Sequence, residues 1–230
     1  MTSIDLHSLS AQLESPHSRD RLIALASLRD VPASEALPLI KKVIQDENLQ
    51  IRSMAVFALG IKKTAENFDL LIKVLDTDSD YSIRASAAGA LGYLEDDRAL
   101  EPLLRAFYEE TDWLVRFSAA VSLGNLKHPK ATQALLAALD SPETLLQQAA
   151  IAALGEIGAI DAVEKLLRFA NAEDWLIRQR LAEALSNLPS PKTQSALAYL
   201  AKDSHPQVAS AAQISLEKLT QTLPNSHHAS

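Results

Sequence analysis

DWLVRFSAAVSLGNL, Asp112 to Leu126, is the stretch whose reading decides the fold. Val115, Ala119, Leu123 and Leu126 fall four, four and three residues apart, which places them on one face of an α-helix. Asp112 stands where an N-cap carboxylate would accept the free backbone N–H groups of the first turn. The same pattern recurs on both sides as IRSMAVFALG from Ile51, IRASAAGALG from Ile83, LQQAAIAALG from Leu146 and IRQRLAEALS from Ile177. Weaker copies begin at Asp20 and Val208. Taking the second residue of each copy as an anchor gives Arg21, Arg52, Arg84, Arg116, Gln147, Arg178 and Ala209, with offsets of 31, 32, 32, 31, 31 and 31. A fixed register of this length identifies a repeat protein.

Shorter apolar-periodic stretches such as ENFDLLIKVL and DAVEKLLRFA lie between the copies and read as the first helix of each pair. Second helices are expected to begin near residues 17, 48, 80, 112, 142, 173 and 205. Pro129 and Pro191 sit near helix starts, where their missing N–H has no partner to lose. Two antiparallel helices cannot bury their apolar stripes alone, so neighbouring pairs must complete the core. Gly60, Gly92, Gly124 and Gly155 all fall at +8 from the anchor, where a missing side chain would permit close backbone approach or loosen the helix end. An acidic residue stands six before the anchor in Asp46/Arg52, Asp78/Arg84 and Glu110/Arg116, and reads as an inter-repeat ladder of charged hydrogen bonds. Ser141/Gln147 and Ala172/Arg178 break the pattern, and the first and last copies lose both the pair and the glycine, as capping repeats would.

The 230 residues are Ala- and Leu-rich, which favours helices. A formal charge of −7 opposes non-specific binding to phosphate backbones, so nucleic acid is not an expected partner. The absence of cysteine excludes disulfides, thiolate metal sites and a tether to the chain's own thioether. The first fifteen residues, MTSIDLHSLSAQLES, show neither a basic nor an apolar signal region, and no segment has the roughly 18 uninterrupted apolar residues of a membrane span. These features predict a cytoplasmic chain without membrane insertion. One domain over residues 1–220 is expected, with a polar, disordered tail at 221–230.

No nucleophile, base or metal cluster emerges. The six histidines lie near turns or termini, none at helical spacing from a second ligand, so no metal site and no catalytic residue is assigned. With the buried stripe fixed, positions +1, +5 and +9 face outward. In the second to fourth repeats these include Phe57, Tyr93, Phe117 and Val121, beside Ser53, Ile61, Ala85, Gly89 and Asn125. In later repeats they are polar, Glu183 among them. An apolar stripe where water should be is a candidate binding groove. Trp113 and Trp175 share one repeat position, with Tyr81 as its equivalent, and form either an aromatic rim for a partner or a cover for the turns. Arg180 stands at +2, where other copies carry small or apolar residues; beside Arg178 it is a candidate carboxylate receptor, or else a solvated side chain.

A repeat of the form x-V-R-x-x-A-A-x-A-L-G is a HEAT signature, so the expected fold is an all-α HEAT-type α-solenoid of seven helix pairs. The His–Glu pairs by which some HEAT-repeat hydroxylases hold iron do not occur. DWLVRFSAAVSLGNL, then QQAAIAALGEIG, then DWLIRQRLAEALSNLP resembles the HEAT-like repeats of cyanobacterial phycobilisome proteins. These are the E/F-type bilin lyases and the non-bleaching B proteins of phycobilisome degradation, of which the second type is closer in length. The resemblance covers about residues 18–219 and is densest from Asp112 to Leu188. It implies a cyanobacterial, phycobilisome-associated protein that binds bilin or phycobiliprotein subunits. Its action would be bilin attachment or detachment, or degradation of the antenna. Phycocyanobilin would be a transient ligand, never covalently held, since the acceptor thiol belongs to the subunit. A non-catalytic adaptor or chaperone using the same groove is the alternative, and a HEAT scaffold without pigment is a third.

Overall fold

The computed structural model describes residues 5–222, and the greater part of the expected tail lies outside the described residues. Fourteen α-helices and no strand occur among the described residues, in seven consecutive pairs. These are α1 (Leu6–Gln12) with α2 (Ser18–Ser27), α3 (Ala33–Lys41) with α4 (Leu49–Ile61), and α5 (Ala65–Thr77) with α6 (Tyr81–Leu94). They continue as α7 (Leu100–Glu109) with α8 (Trp113–Leu126), and α9 (Thr132–Ala138) with α10 (Thr144–Ile157). The last two pairs are α11 (Val163–Leu167) with α12 (Trp175–Leu185), and α13 (Pro191–Leu200) with α14 (Pro206–Thr222). The second helices start within two residues of their expected positions. Asn48, Asp80 and Asp174 cap α4, α6 and α12 through their side chains, and Asp112 accepts the Leu114 N–H at 2.9 Å.

The helices form two compact units, one ending at Ser122 and the other beginning at Leu123, with the boundary inside α8. The sequence reading expected one domain. A chain whose repeats bury their stripes only against neighbours has no common core to prevent such a division. Each unit is a stack of helix pairs, the architecture of a helical solenoid.

Within the first unit the second helices stack directly, Ile51, Ala55 and Leu59 of α4 being fully buried beside Ile83, Ala87 and Leu91 of α6. A side chain at Gly60 would place its Cβ 2.9 Å from Ala90 Cβ, and one at Gly92 would meet the Ser122 Cα at 2.8 Å. In the second unit Gly124 faces Ala153 and Gly155 faces Ala184, each with an added Cβ at 2.7 Å. The +8 glycine therefore meets the +6 residue of the next second helix, always Ala or Ser. Close backbone approach, rather than a loosened helix end, is what the glycine provides.

The ladder exists with a different pairing. Four of the five anchor arginines bind the carboxylate six residues before the next anchor: Arg21 Nε to Asp46 at 2.7 Å, Arg52 to Asp78 at 3.2 Å, Arg84 to Glu110 at 2.7 Å and Arg178 to Asp203 at 2.7 Å, while Arg116, with Ser141 at that position, donates to the Phe107 carbonyl. What stands six residues before the arginine contributes its backbone carbonyl instead, as Nη1 of Arg84 donates to Asp78 at 3.1 Å and that of Arg178 to Ala172 at 2.6 Å. The first and last repeats thus take part, correcting the reading of lost pairs at both ends: Arg21 and Asp203 are the outer halves of terminal rungs. The rung between Gln147 and Ala172 is missing on both sides at once, and Gln147 keeps only the carbonyl bond, to Ser141 at 2.7 Å. An unpaired buried charge would cost more than losing the pair.

Leu154 is fully buried, so Leu154→Ala should lower stability by about 2–5 kcal/mol in a urea titration. Glycine-to-alanine changes within helices usually gain about 1 kcal/mol. Gly155→Ala should do the reverse, because the new Cβ meets the Ala184 backbone.

Candidate functional site

Helices α4, α6 and α8 contain no Asp, Glu or Lys, in a chain of which 22% is charged. Their only ionised residues are the anchors Arg52, Arg84 and Arg116. Asp78 and Glu110 hold the first two, and Arg116 Nε donates to the Phe107 carbonyl at 3.3 Å. A second helix packed on both flanks keeps only a narrow strip toward solvent, and on these three helices that strip is apolar. Phe57 is 59% exposed and Tyr93 58%, with Leu49, Met54, Ile61, Tyr81, Trp113 and Val121 also exposed.

A groove of about 840 Å³ runs along this strip, within the range of roughly 300–1,000 Å³ usual for ligand sites. Leu49, Met54 and Phe57 of α4 form one wall. Ser82, Ala85, Ser86 and Gly89 of α6 form the floor with Tyr93 at its end, and Leu114 and Ser118 of α8 close the far side. Hydroxyls and one amide, that of Gln50, are its polar groups. No carboxylate, imidazole or cation lines it.

The residues expected from sequence divide accordingly. Phe57 and Tyr93 stand in the groove. Phe117 is half-buried and packs edge-on against Trp113, the ring centroids 6.5 Å apart, while Val121 is exposed one turn further on. Ala85 was expected outward and is buried at the groove floor. The sequence reading missed Leu49, Met54 and Leu114. Met54 stands at +2, the position at which Arg180 had already drawn notice, so the signal was present in that column. Tyr81 and Trp113 remain exposed rim residues.

The charged half lies in the second unit and is built differently. Arg178 is a scaffold residue: Asp203 and two backbone carbonyls take four of its five guanidinium N–H groups, which leaves no pair of donors for a ligand carboxylate. Arg180 is exposed and pairs with Glu183 at 2.8 Å, and Glu183 also accepts the Gln179 amide at 2.8 Å. Exposed pairs of this kind are worth about 0–1 kcal/mol, so Arg180 is free to exchange partners. Glu183 and Gln179 line a polar groove of about 610 Å³ with Ser210, Gln207 and Ile214. Trp175 is half-buried and stacks on His205, centroids 4.0 Å apart and planes within 10°, covering the turn before α14. Among the described residues no three His, Asp or Glu gather in a metal-binding group. Among the described residues no helix is long and apolar enough to cross a membrane.

The family model for HEAT repeats matches residues 6–86, 68–147 and 132–217. The chain belongs to the HEAT-repeat family. No curated protein matches it as a sequence relative. Among solved structures, this HEAT-repeat chain is similar to a chain in the complex of CpcE and CpcF of phycocyanin lyase from Nostoc sp. PCC7120. Identity there is 28%, the TM-score 0.65, and the match covers 79% of this chain and 76% of the other. Two further structures show the same fold at lower identity. YibA of Escherichia coli is 15% identical with a TM-score of 0.62, covering 95% and 93% of the two chains. Kap95p, solved with RanGDP, is 16% identical with a TM-score of 0.65, covering 99% of this chain and 37% of that one.

The Arg178 hydrogen bonds, helped by the His205 backbone N–H, hold the Asp203 carboxyl below its ordinary range against a smaller opposing effect of desolvation. A carboxylate so depressed contributes stability that is present above its unfolded value of about 3.9 and is lost as pH falls through the folded value. Asp203→Asn should therefore cost about 1–3 kcal/mol at pH 7, the scale for a hydrogen-bonded charge. The difference from the parent should shrink in urea titrations as pH falls below the unfolded value of about 3.9 and through the lower folded one.

Proposed function

We propose that this HEAT-repeat protein binds phycobiliprotein subunits, their bilins, or both, through the apolar groove of α4, α6 and α8. Its setting is the phycobilisome, where it acts in bilin attachment or detachment or in degradation of the antenna. The observation that carries this reading is the exposed, charge-free aromatic surface, in a chain similar to one from a phycocyanin lyase complex. Exposed apolar area of this kind is costly to maintain in water and marks an interaction site. Phycocyanobilin would be held transiently, since a chain without cysteine offers no thiol of its own.

A second reading, a non-catalytic adaptor or chaperone for such subunits, is favoured by the groove's lining. Its polar groups are serine hydroxyls, the Tyr93 phenol and one glutamine amide, which donate and accept hydrogen bonds, and no carboxylate or imidazole stands among them. Any bond making or breaking at the bilin would draw on the subunit or pigment for its proton transfers, and this surface would contribute position and exclusion of water.

Phe57→Ser and Tyr93→Ser should each leave the melting temperature within about 2 °C of the parent, because both rings are more than half exposed. Each should weaken binding to apo or holo phycocyanin subunits by at least about 1 kcal/mol, measured by calorimetry or fluorescence titration. Titration with free phycocyanobilin separates pigment handling from subunit recognition. Unaltered affinity in both variants, or no binding of subunit or pigment by the parent chain, would refute the proposal.

A further inference from the structure

Resting on that reading, we infer that the groove's occupant is an α-helix of the protein partner, docked by an uncharged face. The pigment itself is not what the groove is shaped to hold. Charge decides between them. A linear tetrapyrrole carries two propionates, and a desolvated carboxylate needs a cation or several N–H donors. The groove offers no cation and one side-chain amide, that of Gln50, beside its hydroxyls: no Arg or Lys lines it, and the three arginines of α4, α6 and α8 are turned to Asp78, Glu110 and the Phe107 carbonyl. The apolar stripe of an amphipathic helix brings no charge and leaves no backbone group unpaired, because its N–H and C=O groups are bonded within the helix.

The shape of the groove agrees. Its walls stand on α4 and α8, and its floor is α6, where the half-buried groove residues Ser82, Ser86 and Gly89 between the exposed Tyr81 and Tyr93 are small. Packed helices lie about 8–10 Å apart, so two walls separated by one intervening helix frame a trough about one helix wide. Gly89 shows that the floor is lower than the fold requires. The glycines at +8 are each pressed against the next helix, whereas a Cβ at Gly89 would meet nothing within 4 Å. Alanine would fit there and favour the helix, so internal packing gives no reason for glycine at this position. Close approach of an outside backbone supplies one.

The test takes the full chain and two floor-filling variants, Gly89→Phe and Ser86→Leu, against apo and holo phycocyanin subunits and free phycocyanobilin. Gly89→Ala serves as the folding control and should raise the melting temperature by about 2–4 °C. Each filling variant should lose at least tenfold in subunit affinity without a lower melting temperature. Because the chain lacks cysteine, Ser86→Cys provides a unique thiol for a benzophenone cross-linker. Cross-links should fall in one partner segment at intervals of three and four residues. Retained subunit affinity in both filling variants, cross-links without that spacing, or free bilin binding that the variants abolish would each overturn the helix while leaving the proposed function standing. Absence of any binding by the parent chain would remove both.

Discussion

Successive second helices approach until side chains no longer fit between them, and the rest of the structure follows from that spacing. At Gly60, Gly92, Gly124 and Gly155 the facing residue is Ala90, Ser122, Ala153 or Ala184, and an added Cβ would lie 2.5–2.9 Å from its nearest neighbour. A pair of helices alone would leave this face in water. Placed so close, the leucine before each glycine becomes fully buried: Leu59, Leu91, Leu123 and Leu154. The fold is therefore held by a contact repeated between neighbours, and within each unit stability is close to a sum of such contacts.

The arginine rungs are consequences of that stacking. The guanidinium groups of Arg21, Arg52, Arg84 and Arg178 each span the turn of their own repeat through a backbone carbonyl and reach the next repeat through a carboxylate, so one side chain fixes both. These groups are nearly covered: the Arg178 side chain is 14% exposed and that of Asp203 9%. Two neighbouring rungs lack the ion pair: Arg116 has Ser141 in place of the acid and donates to the Phe107 carbonyl, and Gln147 and Ala172 replace both halves of the next. Gln148 there donates to Asp174 at 3.2 Å, a neutral link in place of the ionic one.

Helices packed on two flanks have little surface left to diversify, and the two units use that strip in opposite ways. In the first it carries aromatic and aliphatic side chains and no acid or lysine; in the second it carries Gln179, Arg180 and Glu183, which bond to one another. The polar strip satisfies its own groups. The apolar strip cannot do so, and water gains nothing by contact with it. That asymmetry ties the groove of α4, α6 and α8 to recognition of another molecule.

The sequence by itself determined the helices, their pairing and their boundaries, because apolar spacing, N-cap residues and a register of 31 or 32 residues are local properties of the chain. It also determined that Phe57 and Tyr93 face outward, since burial of the opposite stripe leaves them no alternative. Tertiary structure alone decided which carboxylate each arginine takes. Six residues along the chain and 25 or 26 residues along it are equally visible in a periodic sequence, and only the stacking distance selects the second. Ala85, expected outward at +1, is buried, and Met54 at +2 is exposed, for a related reason. The turn of each helix about its own axis is set by the glycine contact with its neighbour, and a small rotation moves the boundary between +1 and +2. Trp175 was placed by His205, a residue 30 positions away that its own repeat does not contain.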